Sequence, residues 1–181
     1  MNYPALMGLI TGVLIGIVLV FIISKVSNTD KKVKNEYDER QKMVRGKGYK
    51  LSFFTVVIWS SLLAFLSISG VEIPADSGVL FFSVVFVGVL VECSYCIWND
   101  GYWALNNDRA SYKKFFWIVG LFNAFVSFVN IKNGSMFEGG IMRFSALNLM
   151  AAFLFVVLGV VLWLKSLKDK HEEGDDDGEE S

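Results

Sequence analysis

Histidine occurs once in this chain, cysteine twice and proline twice. The one histidine, His171, stands in a charged tail, so the four ligands that zinc normally takes are not to be found here, and no metal is expected. Cys93 and Cys96 are too few for a secreted disulfide framework, which normally needs four or more. The chain has no glycine-rich nucleotide loop, no serine elbow and no paired carboxylates inside an apolar run, so no enzyme class is supported. No cofactor is expected and nothing points to nucleic acid. The polar segments are also too short to bury a core of their own, which excludes a separate soluble domain.

What is abundant is apolar. Of 181 residues 54% are hydrophobic, and mean hydropathy is +0.47, too high for a soluble domain of this size. Residues 5–24 are twenty almost uninterrupted apolar positions, which as a helix span about 30 Å, the thickness of the bilayer hydrocarbon. Comparable runs fall at 51–69, 78–98, 115–131 and 144–164. The expected fold is therefore all-α, an integral membrane bundle of five transmembrane helices over residues 1–170. A cleaved signal peptide is the rival reading of the first run. It wants a basic leader, and residues 1–4 carry no Lys or Arg. Gly8, Gly12 and Gly16 recur every four residues on one stripe of this helix, where a second helix of the chain or of another copy can approach closely.

Charge orients the spans. The loop 25–50 carries nine Lys and Arg against four acids, and basic residues beside membrane spans are retained in the cytoplasm. With loop 99–114 on the same side, all but Lys132 and Arg143 of the seventeen Lys and Arg are cytoplasmic, the N-terminus is outside and the C-terminus inside. In the first loop Asn35 is the expected helix cap, with Glu36 paired to Arg40 and Asp38 to Lys42 at i, i+4, and Gly46 and Gly48 interrupting the helix. Its basic residues also suit anionic lipid, each contributing about 1 kcal/mol near a charged leaflet. Trp98, Tyr102 and Trp103 suit the membrane interface. The tail 171–181 has seven acids in eleven residues and no apolar one, and is expected to be disordered.

Few polar residues lie within the spans. Glu92 is the only acid, roughly 9 Å from the cytoplasmic end of its helix, and an intramembrane carboxylate is a functional candidate by default. Pairing with Arg109 or Lys113, or a neutral carboxyl, is the plainer account. Asn123, Ser127 and Asn130 share one face of the fourth helix and Ser145 and Asn148 one face of the fifth, a pattern that hydrogen-bonds helices together or lines a polar cavity. Cys93 and Cys96 form a CxxC that resembles the motif of quinone-linked thiol oxidoreductases. A second cysteine pair is lacking, the cytoplasmic side is reducing, and helical i, i+3 Cβ atoms lie about 5–6 Å apart where a disulfide wants about 3.8 Å.

The run Tyr37-Asp38-Glu39-Arg40-Gln41, then Arg45-Gly46-Lys47-Gly48-Tyr49 and Phe53-Phe54-Thr55, then Asn99 to Asn106 as NDGYWALN, resembles small multi-pass membrane proteins of Gram-positive bacteria grouped as domain-of-unknown-function families. Their pattern has Asp-Glu-Arg-Gln entering one span and Lys-Asp-Ala-Tyr leaving the next. Asn99 and Gly101 stand here in place of the Lys and Ala. The resemblance implies a bacterial plasma membrane and assigns no catalytic residue. Asp38, Glu39, Arg40, Gln41, Asp100 and Arg109 are expected to form one polar cluster at the cytoplasmic mouth. Beyond the lipid bilayer, the expected partners are a protein bound there and further copies of the chain in a homo-oligomer. A small-solute or ion carrier using Glu92 and a thiol oxidoreductase using Cys93 and Cys96 are the alternatives.

Overall fold

The structure, a computed structural model, describes residues 34–107 and 109–179, together with 28–30 and scattered positions between 11 and 26. Gly8, Gly12 and Gly16, and most of the span expected at 5–24, lie outside the described residues. So do the side chains of residues 109–113 and 171–179.

Four helices make up nearly all of the described chain: α1 (Glu39–Ile68), α2 (Ser77–Trp98), α3 (Arg109–Lys132) and α4 (Leu147–Glu179). Each contains a stretch long and apolar enough to cross a membrane. The main contacts run from α1 to α2, from α2 to α4 and from α4 to α3, so the helices follow one another as a row. Ile97, Leu154 and Leu158 form the buried core where α2 meets α4, with Phe86, Leu90 and Leu162 packed around them. Large apolar side chains such as Phe65 on α1, Ile118 on α3 and Phe153 on α4 are exposed. A soluble monomer rarely exposes so much contiguous apolar surface, whereas lipid tails accept it.

The helix α1 begins earlier than its apolar run and passes straight through Gly46 and Gly48, contrary to the expected interruption. At thirty residues it is about 45 Å long, roughly 15 Å more than the hydrocarbon core. Gly48 is where α2 comes close. A Cβ there would lie 2.8 Å from Cys96 Sγ and 3.7 Å from Glu92 Cγ. The cap is Asp38 instead of Asn35: Asp38 Oδ1 accepts from Gln41 N at 2.6 Å, and Gln41 Oε1 accepts from Asp38 N at 3.2 Å. This reciprocal capping box satisfies two backbone donors at once, which Asn35 alone cannot match. The expected i, i+4 pairs do not form, because Glu36 lies before the helix and Asp38 is used as its cap. Lys42 reaches back to Glu39 at 2.6 Å instead.

At the opposite end the glycine-rich segment adds a two-stranded ribbon to a fold expected to be wholly helical. Phe137–Glu138 pairs with Ile141–Met142 through Gly139 and Gly140. Their φ values of +60° and +79° are those of the tight hairpin turn that glycine adopts without strain. Met142 extends this pairing into the α1–α2 connection, donating from its N to Pro74 O at 2.8 Å while its O accepts from Asp76 N at 2.8 Å. Arg143 bridges Asp76 at 3.2 Å and Glu138 at 3.0 Å. A short 3-10 turn, Phe144–Ala146, leads into α4, which continues through the acidic segment to Glu179 where an unordered tail was expected. That segment follows directly from a long helix, so it extends an existing helical ladder without the cost of nucleating one.

Candidate functional site

The richest polar arrangement lies where the segment before α1 meets the α2–α3 loop. It is built on the end of α2. Gly101 N donates to Cys96 O at 2.8 Å and Tyr102 N to the same carbonyl at 3.1 Å. Asp100 takes the left-handed position of this cap with φ 58°, and among the described residues it is the one non-glycine with positive φ. Glycine or asparagine usually stands there, so an aspartate points to use of its carboxylate.

That carboxylate faces two cations. Asp100 Oδ2 lies 3.0 Å from Lys165 Nζ on α4 and 3.7 Å from Arg40 Nη2 on α1. Arg40 also donates to Asn99 O at 3.2 Å, and Lys165 pairs with Asp169 Oδ1 at 2.8 Å. Lys165 is held in the packing, its side chain 13% exposed, whereas Arg40 is 66% exposed. One loop carboxylate thus ties the first turn of α1 and the middle of α4 to the end of α2.

Beneath this ionic layer, buried Gln41 spans the gap between helix and loop. Its Nε2 donates to Trp103 O at 2.9 Å and Asp100 O at 3.3 Å, while its Oε1 serves the cap of α1. Every polar atom of the side chain is used. Gly101 lies against Val44, where a Cβ would come within 2.5 Å of Cγ1. The alanine of the resembling pattern therefore has no room at this position unless α1 moves.

Asparagines complete the junction. Asn106, nearly buried, accepts from Glu36 N at 3.0 Å and donates to Lys34 O at 3.0 Å and Asp30 Oδ1 at 3.2 Å. Asn107 Nδ2 donates to Asn28 Oδ1 at 2.6 Å, and Asn35 Oδ1 accepts from both Asn28 and Asn107. Main chain joins main chain too, Leu105 N to Glu36 O at 2.7 Å and Thr29 N to Asn106 O at 2.8 Å. Tyr102 and Trp103 turn inward instead of lining the membrane interface, stacking edge to face at 4.8 Å and packing on Phe116 of α3. The hydrogen bonds of their loop draw both rings into the helix ends.

Of the six residues expected to cluster, Asp38, Arg40, Gln41 and Asp100 come together. Glu39 points away to Lys42, and Arg109 opens α3 with its side chain outside the described residues. Lys165, Asn106 and Asn107 were missed. Lys165 had a signal, being the first charge after the last apolar run, and the paired asparagines are residue types that bond to turns.

The other candidates are separate. Glu92 is half-buried on α2 opposite Gly48, with no hydrogen bond or ion pair among the described residues. Asn123 donates to Val119 O and Ser127 to Asn123 O, both within α3, so neither links helices by its own donor. The link comes from Asn130, whose Nδ2 reaches Ser145 O at 3.2 Å; Asn148 donates to the same carbonyl at 3.4 Å. Cys93 and Cys96 are both free thiols. Among the described residues no group of three His, Cys, Asp or Glu is placed to hold a metal.

Comparison with protein-family models, with curated proteins and with solved structures finds no match. The site must be read from its own chemistry. It offers an ordered polar surface with Arg40, Glu39 and Lys42 presented outward.

Proposed function

We propose that this chain is a bacterial plasma-membrane protein of five crossings, with the run 5–24 as the first, the N-terminus outside and the C-terminus inside. In this reading it is non-enzymatic and binds a protein partner through its cytoplasmic face. The distribution of Lys and Arg supports the orientation, since among the described residues Lys132 and Arg143 are the two at the opposite end. The observation that carries the function is the convergence of Arg40 and Lys165 on Asp100. The junction holds an exposed guanidinium against Asn99 O and Asp100, and a group oriented before binding lowers the ordering cost.

The test is gentle purification of tagged protein from its own membranes, beside an Arg40→Ala control, with quantitative mass spectrometry. A stoichiometric partner present with the wild type and depleted in the control supports the proposal. Recovery of the chain alone in both rejects it. The carrier reading keeps one observation in its favour, the unpaired carboxylate of Glu92 within an apolar helix. Vesicle flux that is the same for wild type and Glu92→Gln removes that reading.

A further inference from the structure

Among the described residues two arginine side chains face carboxylates and a third does not. Arg40 faces Asp100, and Arg143 faces Asp76 and Glu138. Arg45 has no carboxylate within ion-pair distance among the described residues. Its guanidinium lies 4.4 Å from the ring centre of Tyr37 and 5.6 Å from that of Tyr49, and its Nη2 donates to Tyr49 Oη at 2.8 Å. Tyr37 is held in turn by Asn35, whose Nδ2 donates to Tyr37 Oη at 3.4 Å. The asparagine junction thus fixes the aromatic wall against which Arg45 rests. A guanidinium carries five donors, and one is used here.

Depth and charge indicate what the other donors meet. The apolar part of α1 begins at Leu51, so Arg45 stands about 9 Å above it, in the headgroup layer beyond the hydrocarbon. Lys47 and Lys50, both exposed and likewise without an ion pair among the described residues, lie within about 7.5 Å of Arg45 along the helix axis. One turn and two turns below Arg45 come Tyr49 and Phe53, then Val57, all exposed. Glu92, across the contact at Gly48, forms no ion pair with Arg45.

We infer that Arg45 is a binding site for an anionic glycerophospholipid. Its guanidinium takes the phosphate, Lys47 and Lys50 add to the local positive field, and one acyl chain lies along Tyr49, Phe53 and Val57. Planar, weakly hydrated guanidinium binds phosphate through paired donors, and the tyrosine rings restrict it to one orientation beforehand. The exposed apolar track selects a lipid over a free anion, because soluble phosphate gains nothing from Phe53 and Val57.

The full chain, delipidated in detergent, is titrated with phosphatidylglycerol or with phosphatidylcholine of the same acyl chains, and bound lipid is counted by native mass spectrometry. Wild type is expected to prefer phosphatidylglycerol. Arg45→Gln weakens that binding about tenfold, Lys47→Gln or Lys50→Gln on the order of fivefold or less, and phosphatidylcholine binding stays unchanged in all three. Tyr37→Leu leaves every charge in place and still weakens phosphatidylglycerol binding, because the guanidinium loses its wall. Equal binding of the two lipids, or Arg45→Gln binding phosphatidylglycerol as wild type does, overturns the assignment. Displacement of the lipid by millimolar inorganic phosphate overturns it in favour of a free-anion site. Should Arg45→Gln not fold, Tyr37→Leu and Arg45→Lys decide, and undiminished binding in both is contrary to the proposal.

Discussion

The two ends of the molecule are closed by different means. At the Lys- and Arg-rich end, side chains hold main chain: Gln41 grips two loop carbonyls, and Asn106 binds residues of the preceding segment. At the other end, main chain pairing carries more of the closure, through the ribbon 137–142 and its extension to Pro74 and Asp76, with side chains of Arg143, Asp76, Asn130 and Ser145 adding to it. Side-chain grips are specific to residue type, whereas backbone pairing tolerates many sequences. The first end should therefore be intolerant of substitution and the second forgiving, a distribution expected if specificity resides at the first.

The largest effect that this contrast predicts is at Gln41. Gln41→Leu keeps the volume but strands the carbonyls of Asp100 and Trp103 and removes half of the capping box, costing about 3 kcal/mol in equilibrium unfolding from mixed detergent micelles. Next is Gly101→Ala, which forces a methyl onto Val44 and costs about 2 kcal/mol. Adding Val44→Ala should recover much of that loss, and a double-mutant cycle measures the coupling. At Asp100 two replacements separate conformation from charge. Asp100→Ala loses the ion pairs and keeps the strain of a positive φ; Asp100→Gly loses the ion pairs alone, and should be more stable than Asp100→Ala by about 1 kcal/mol. The smallest effect belongs to the other end, where Arg143→Gln breaks two partly exposed ion pairs and should cost about 0.5 kcal/mol. An Arg143 variant as damaging as Gln41→Leu would erase the contrast between the ends.

Much of this architecture is legible in the sequence because it depends on long apolar runs. The four described helices fall at four of the expected spans, and the polar motif around residues 38–41 does meet the α2–α3 loop. What was illegible depends on competition between local partners. Asn35 and Asp38 are both good caps in isolation; Asp38 takes the role since Gln41 stands three residues on, while Asn35 is drawn into bonds with Asn28 and Asn107. Gly46 and Gly48 look like breaks, yet a helix anchored by a capping box and packed on α2 carries the cost of two glycines, about 1 kcal/mol each. Tyr102 and Trp103 have the composition of an interface belt, and only the loop hydrogen bonds to Gln41 and Glu36 show that their rings must turn inward. Lys165 meets Asp100 across sixty-five residues of sequence, a separation at which no local pattern reports contact.

The proposal that the Arg40 face is the binding surface is tested most directly by placing one photo-crosslinking residue at Lys42 in one strain and at Phe137 in another. Both positions are exposed, at opposite ends of the molecule. After irradiation of intact cells the expected result is a discrete adduct from position 42, lost when Arg40→Ala is added, and none from position 137. Adducts from position 137 alone, or an adduct at position 42 indifferent to Arg40→Ala, would contradict the account.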